Sequence, residues 1–163
     1  MKNILVPYIS YNHWANQQLV KSLLKLKPEQ AEASWGGVQP SVFELVAQLW
    51  AFEHGWYERL QLVEKVSDPA RDFKGTFEEL CSHCLEQSAL LEQWVIKATP
   101  VRLEHTVAYT LKKNEHYKTA VYDVIIEVVN GSTLIRGQLI SLLQQLNIKK
   151  LPVLDYRSYK PRK

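Results

Sequence analysis

The chain has 163 residues, which suits one domain and leaves little room for two. Hydrophobic residues make up 46% and charged residues 23%, which excludes disorder over most of the length. Lys and Arg number 20 against 17 Asp and Glu, and this net +3 is too weak a surplus for a dedicated nucleic-acid binder. No apolar run approaches the length of a membrane span. The stretch from Met1 to Ser10, broken by Pro7, lacks a secretory h-region. The only cysteines are Cys81 and Cys84, so a disulfide scaffold is excluded and a reduced cytoplasmic protein is expected. Five Trp and eight Tyr favour a well-filled core or a self-association surface.

Helical periodicity appears in four blocks. In the first, Ile4, Tyr8, Ala15, Leu19, Leu23 and Leu26 step by three or four, with one gap near Asn12. Pro28, Gly36-Gly37 and Pro40 mark a connection. Ser41 and Glu44 form a capping-box signature for the second helix, whose stripe is Val42, Leu45, Leu49, Phe52, Trp56, Leu60 and Val63. Ser67-Asp68-Pro69 ends it. Thr76 with Glu79 opens the third helix, Phe77, Leu80, Cys84, Leu91, Val95 and Ala98 form its inward face, and Pro100 closes it.

From Val101 to Leu111 the apolar period becomes two, which predicts a half-buried strand, followed by a turn at Lys112 to Glu115 and a return over His116 to Ala120. The fourth helix is expected from about Thr119–Asp123 to Leu146, on a seam of Val121, Val124, Val128, Gly131, Ile135, Leu139, Leu142 and Leu146. From Asn147 onward the chain is basic and punctuated by proline, and an irregular tail is expected. The whole reads as a single all-α domain: a four-helix bundle with a short β-hairpin before the last helix. The long links before the second and fourth helices favour an up-up-down-down order.

Several short signatures occur in one order. Tyr11-Asn12-His13-Trp14-Ala15-Asn16 lies on the first helix, and Ser41, Trp50, Glu53 and Trp56 on the second. Asn130, Arg136-Gly137-Gln138, Leu139 and Gln145-Leu146 lie on the fourth. Together they resemble the DinB/YfiT-like superfamily of bacterial four-helix bundles, over nearly the whole chain. The resemblance implies a pocket between helices holding a divalent metal on three histidines, one from the second helix and a His-x-x-x-His pair from the fourth. Members with that triad include metal-dependent thiol transferases and isomerases. The superfamily name refers to DNA-damage induction and does not itself imply DNA binding.

At the implied ligand positions this chain has Gln48, Gly131 and Ile135. An amide, a bare backbone and a branched alkyl group do not make a zinc or nickel site, which wants about three strong donors and an open position. Burying Ile135 gains roughly 1.5–3 kcal/mol in an apolar setting, incompatible with a hydrated ion beside it. No cofactor is therefore expected. The alternative is a hard cation such as Mg²⁺ held by Glu127, Gln48 and water. Glu127 otherwise reads as a pocket carboxylate, with a raised pKa if it is buried without a cationic partner.

The remaining candidates have simpler readings. Cys81-Ser82-His83-Cys84 lacks a second ligand pair and is expected to fill core. His13, His54, His105 and His116 form no ligand set, and no nucleophile–base pair can be assembled. Arg136 and Glu53 are expected to bridge the fourth and second helices. Gly131 costs about 1 kcal/mol of helix stability against Ala, and is expected to permit a close approach or leave pocket volume, as is Gly137.

Three functions follow. The first is a non-catalytic ligand-binding or structural homodimer, with a small-molecule pocket lined by Gln48, Glu127, Gly131 and Ile135, and with Asn16, Phe52 and Trp56 in its wall. The second is a metal-dependent thiol transferase or hydrolase using a site remodelled around Glu127. The third is a damage-response protein that contacts nucleic acid through the basic tail.

Overall fold

The computed structural model describes residues 1–33, 39–111 and 115–159. In chain order the elements are α1 (Lys2–Leu23), α2 (Pro28–Glu32), α3 (Val42–Leu60), α4 (Phe77–Lys97), α5 (Pro100–Glu104), β1 (Thr106–Thr110), β2 (His116–Ala120), α6 (Val121–Gln145) and α7 (Tyr156–Tyr159). The four long helices form the bundle. α1 packs on α4 and α6, and α3 packs on the same two, so α1 and α3 lie diagonally opposite. Among the described residues no helix is long and apolar enough to cross a membrane.

Both capping boxes form. Ser41 Oγ accepts from the Glu44 N–H at 3.1 Å while the Ser41 N–H donates to Glu44 Oε2 at 2.7 Å. Thr76 and Glu79 repeat the arrangement at 3.2 and 2.7 Å. α3 and α6 end in matching reciprocal turns. Leu62 and Asn147 adopt the left-handed conformation, with φ of 63° and 59°. Their N–H groups reach Arg59 O and Gln144 O, and those of Val63 and Ile148 reach Glu58 O and Leu143 O. Asn tolerates that conformation, whereas Leu does so under strain.

The bundle and its hairpin appear as expected, but the helix polarity differs from the up-up-down-down order. Lys2 Nζ donates to Ala98 O and Asn16 to Ser88, so α1 and α4 run antiparallel. Trp50 stacks on His83 and His54 bonds Gln87, so α3 and α4 run parallel. Tyr8 reaches Asn130 and Arg136 reaches Asn16, so α1 and α6 run parallel. The order is therefore up-down-down-up. Segment 61–76 permits the parallel step between α3 and α4, being long enough to run back along a helix of 19 residues, roughly 28 Å.

Three further boundaries differ. Val101–Glu104 is helical, not strand: Thr99 Oγ1 accepts from the Arg102 N–H at 3.2 Å and Pro100 sits at the first helical position, a start signal that outweighs the alternation. Val101 is accordingly exposed while Leu103 and Val107 are buried. Ile4 points outward and Leu5 takes the core position, and Val63 is also exposed. The tail is not wholly irregular. α7 sets Tyr156 and Tyr159 against Tyr11, with ring centroids 5.1 and 6.1 Å away, and Tyr11 Oη donates to Leu154 O. The expected Gly36-Gly37 break, most of the 112–115 turn and the last four residues lie outside the described residues.

The core is divided. One apolar cluster gathers Leu5, Ile9, Leu60, Leu91, Val95, Val121, Val124, Ile125, Val128 and Val129. The other gathers Leu19, Leu23, Val42, Leu45, Val46, Leu49, Leu80, Ile135, Leu139, Leu142 and Leu143. Between them, at mid-bundle, lies a layer of buried polar side chains.

Candidate functional site

The buried layer is built from one or two residues of each long helix. Asn12 and Asn16 are a turn apart on α1, so their amides share a face. Glu53 on α3 follows Leu49 by four and precedes Trp56 by three, which places a carboxylate on the inward stripe. Ser88 comes from α4, and Ser132 and Arg136 from α6. All six are buried.

Glu53 Oε1 accepts hydrogen bonds from Asn12 Nδ2 at 2.8 Å, Asn16 Nδ2 at 2.9 Å and Ser132 Oγ at 2.9 Å, and Oε2 accepts from Ser88 Oγ at 2.9 Å. Arg136 Nη1 donates to both Asn12 Oδ1 and Asn16 Oδ1 at 2.7 Å, and Nη2 donates to Thr133 Oγ1 at 2.8 Å. The two amides thus stand between carboxylate and guanidinium, each accepting from the cation and donating to the anion. The bridge between α3 and α6 exists, but it passes through α1. Burial lowers the Arg136 pKa, opposed chiefly by the attraction of Glu53.

Cys84 lies near this layer. Burial, with the Glu53 charge second, pushes its thiol well above the ordinary range, and burial pushes Cys81 up to about 12. Both are free, buried and packed in the second apolar cluster, as core-filling residues.

The residues expected to line a pocket fall in different surroundings among the described residues. Gln48 and Glu127 are exposed, and Glu127 has no hydrogen-bond or ion-pair partner among the described residues. Glu127 therefore differs from the pocket carboxylate expected, which would have had a partner there. Ile135 belongs to the second cluster, and Asn16 belongs to the sealed polar layer. Trp56 is buried in the first cluster, while Phe52 packs against both. At Gly131 an added Cβ would lie 2.2 Å from Phe52 Cζ, 2.7 Å from Cε1 and 3.1 Å from Cε2. The glycine allows the Phe52 ring to sit against the α6 backbone, so the close approach is to a ring and not to a helix. Gly137 has no such role, since nothing lies within 4 Å of a Cβ there.

The histidines are dispersed, as expected. His13 Nδ1 lies 2.6 Å from Glu92 Oε2, joining α1 to α4. The structure brings Ser67 to His54, which sequence spacing did not reveal: Ser67 Oγ is 2.9 Å from His54 Nε2, and His54 Nδ1 is 2.9 Å from Gln87 Oε1. This group closes a loop. Glu58 Oε2 accepts both the Ser67 backbone N–H at 2.6 Å and its hydroxyl at 3.1 Å, which directs the hydroxyl proton away from the imidazole.

The fold and the sealed carboxylate–amide–guanidinium layer define a four-helix protein of up-down-down-up order with a polar mid-plane. The chain belongs to the DinB family, whose sequence model matches residues 1–162. It is 25% identical to Protein DinB of Bacillus subtilis over 171 residues, covering 98% of this chain and 95% of that protein. Its fold is similar to that of YfiT from Bacillus subtilis, described as a probable metal-dependent hydrolase with an unusual four-helix bundle topology (TM-score 0.70, 10% identity, 86% of each chain). It is also similar to that of the DinB-like protein YjoA from Bacillus subtilis (TM-score 0.66, 12% identity, 93% of this chain and 97% of the other).

The positions at which the resemblance implies a metal do not fit an ion. One side chain is an exposed amide, one is missing with a phenyl ring against its backbone, and one is buried hydrocarbon. Among the described residues no three of His, Cys, Asp and Glu converge to hold a metal.

Proposed function

We propose that this chain is a DinB-family protein whose metal site is degenerate, and that it acts as a non-catalytic ligand-binding or structural protein, as a homodimer in the cytoplasm. The observation that carries this reading is the Phe52 ring packed against Gly131. A histidine there would have to displace the ring before its imidazole could reach an ion. Ile135 supports the same reading, since a hydrated cation beside it would forfeit its apolar burial.

The reading through Glu127 loses ground because Glu127 and Gln48 both face solvent, where a lone carboxylate and an amide hold a divalent cation weakly. Of the basic residues behind the tail reading, Lys149, Lys150 and Arg157 are exposed and Lys160, Arg162 and Lys163 lie outside the described residues, while α7 commits Tyr156 and Tyr159 to α1.

Elemental analysis of the chain purified without chelator tests the proposal, with sedimentation velocity for its dimeric part. Substoichiometric zinc, nickel and manganese and a two-chain species are expected. Metal near one per chain, lost in Glu127→Ala, would overturn the degenerate site in favour of the remodelled enzyme.

A further inference from the structure

We infer that the groove between the α3–α4 loop and the β-hairpin is a binding site for a small ligand bearing an oxyanion, a carboxylate or a phosphate, and that Arg59 is the group that receives it. The groove, of about 1470 Å³, lies apart from the buried polar layer and from the positions of the implied metal. Arg59, at the end of α3, contributes to its wall.

Arg59 is half-buried, yet its side chain has no hydrogen bond or salt bridge among the described residues, and its Nε is buried without an acceptor. Its guanidinium carbon lies 5.0 Å from the Trp56 ring centroid and 5.7 Å from that of Tyr109. Such a placement against aromatic rings holds a cation by its face and leaves its edge donors for a planar or tetrahedral oxyanion. The neighbouring carboxylate, Glu58, is committed to Ser67. The buried Nε is out of reach of the groove, so the Nη groups, the accessible end of this half-buried side chain and without a partner among the described residues, are the donors that an anion there meets.

The backbone around Arg59 makes room for this arrangement. A Cβ at Gly55, one turn earlier, would lie 3.1 Å from Arg59 Nη1 and 3.4 Å from Val66, so a mid-helix glycine leaves the guanidinium its place. Leu62, also in the groove wall, holds φ at 63° and exposes 53% of its surface, a strained backbone with an apolar side chain at the site. The groove's other charges are Lys65, Arg71 and Lys118 against Glu64 and Asp68, and Arg71 lies 4.0 Å from Asp68. The balance is positive. Tyr109 and Tyr117, stacked at 5.5 Å, supply a flat wall for the ligand's body. The clasp of Glu58, Ser67 and His54 fixes the opposite wall.

The test is an NMR titration of the full ¹⁵N-labelled chain with sodium benzoate and, separately, inorganic phosphate at constant ionic strength, following the Arg59 Nε–Hε resonance and, in wild type and variants alike, the backbone amides of Leu62 and Tyr109 in the groove wall. A saturable shift with at least one probe is expected, weakened by about tenfold or more in Arg59→Gln. Saturation by benzoate alone assigns an organic carboxylate, and saturation by phosphate alone, or more tightly, assigns a phosphate. Should Arg59→Gln fail to fold, Gly55→Ala crowds the guanidinium while favouring the helix, and a weakening of about threefold is expected. No saturation by either probe up to about 50 mM, or an affinity unchanged in the folded variant, would overturn the site.

Discussion

Glu53 and Arg136 are the buried opposite charges of the bundle's mid-plane, and they are joined through Asn12 and Asn16 with no direct contact within salt-bridge distance. The pair therefore behaves as one unit with its amides. Glu53→Ala leaves a buried guanidinium without its counter-charge and is expected to destabilise the fold by about 3–5 kcal/mol. Glu53→Gln should be nearly as damaging, because an amide cannot accept at both ends from Asn and Ser donors. Glu53→Leu combined with Arg136→Met is expected to recover part of the loss. Urea unfolding of Glu53→Leu, Arg136→Met and the double variant measures the coupling.

At Gly131 two effects oppose. Alanine gains about 1 kcal/mol of helix propensity but drives its Cβ into the Phe52 ring, at 2.2 Å as built. That ring is held between both apolar clusters, so turning it out forfeits contacts with each. Gly131→Ala is expected to destabilise the wild-type chain by about 1–2 kcal/mol and to stabilise a Phe52→Ala background by about 1 kcal/mol. Thermal or urea midpoints in the two backgrounds should show that change of sign.

The cysteines give a pH dependence. Burial raises Cys81 from 9.0 to about 12 and Cys84 well above 9.0, so the unfolded chain loses these protons first as pH rises. Their contribution to stability is complete below about pH 9 and is lost between about 9 and 12 for Cys81. Unfolding free energy should therefore fall over that window, less steeply in Cys81→Ala. At neutral pH neither thiol should react with iodoacetamide until the chain unfolds.

The tail is expected to act as packing. Tyr159 lies 5.7 Å from the Trp14 ring and 6.1 Å from Tyr11. Tyr159→Ala should destabilise the chain by about 1–3 kcal/mol through lost ring contacts and burial. Replacing Lys149, Lys150 and Arg157 together by Gln should leave the unfolding midpoint unchanged within about 0.5 kcal/mol. The second variant separates charge from packing in any assay of nucleic-acid affinity.

The stripes of the four long helices were legible because burial repeats at the helical period, and the caps because Ser41–Glu44 and Thr76–Glu79 satisfy local geometry. Helix polarity was not legible, since a long link permits either direction and only side-chain pairs such as Asn16–Ser88 fix it. The polar layer left a trace in the sequence. The gap near Asn12 in the first stripe, and charged residues at inward positions 53 and 136, mark it. What spacing could not supply was that these positions meet at one level of the bundle. The role of Phe52 was hidden for the same reason, because its contact with Gly131 joins helices far apart in sequence.

The degenerate metal site is tested most directly by the unfolding midpoint of the full chain with and without Zn²⁺, Ni²⁺, Mn²⁺ and Mg²⁺. An ion bound at a thousand times its dissociation constant would add about 4 kcal/mol. The expected result is an unchanged midpoint with every ion. A saturable rise that disappears in Gln48→Ala would contradict it.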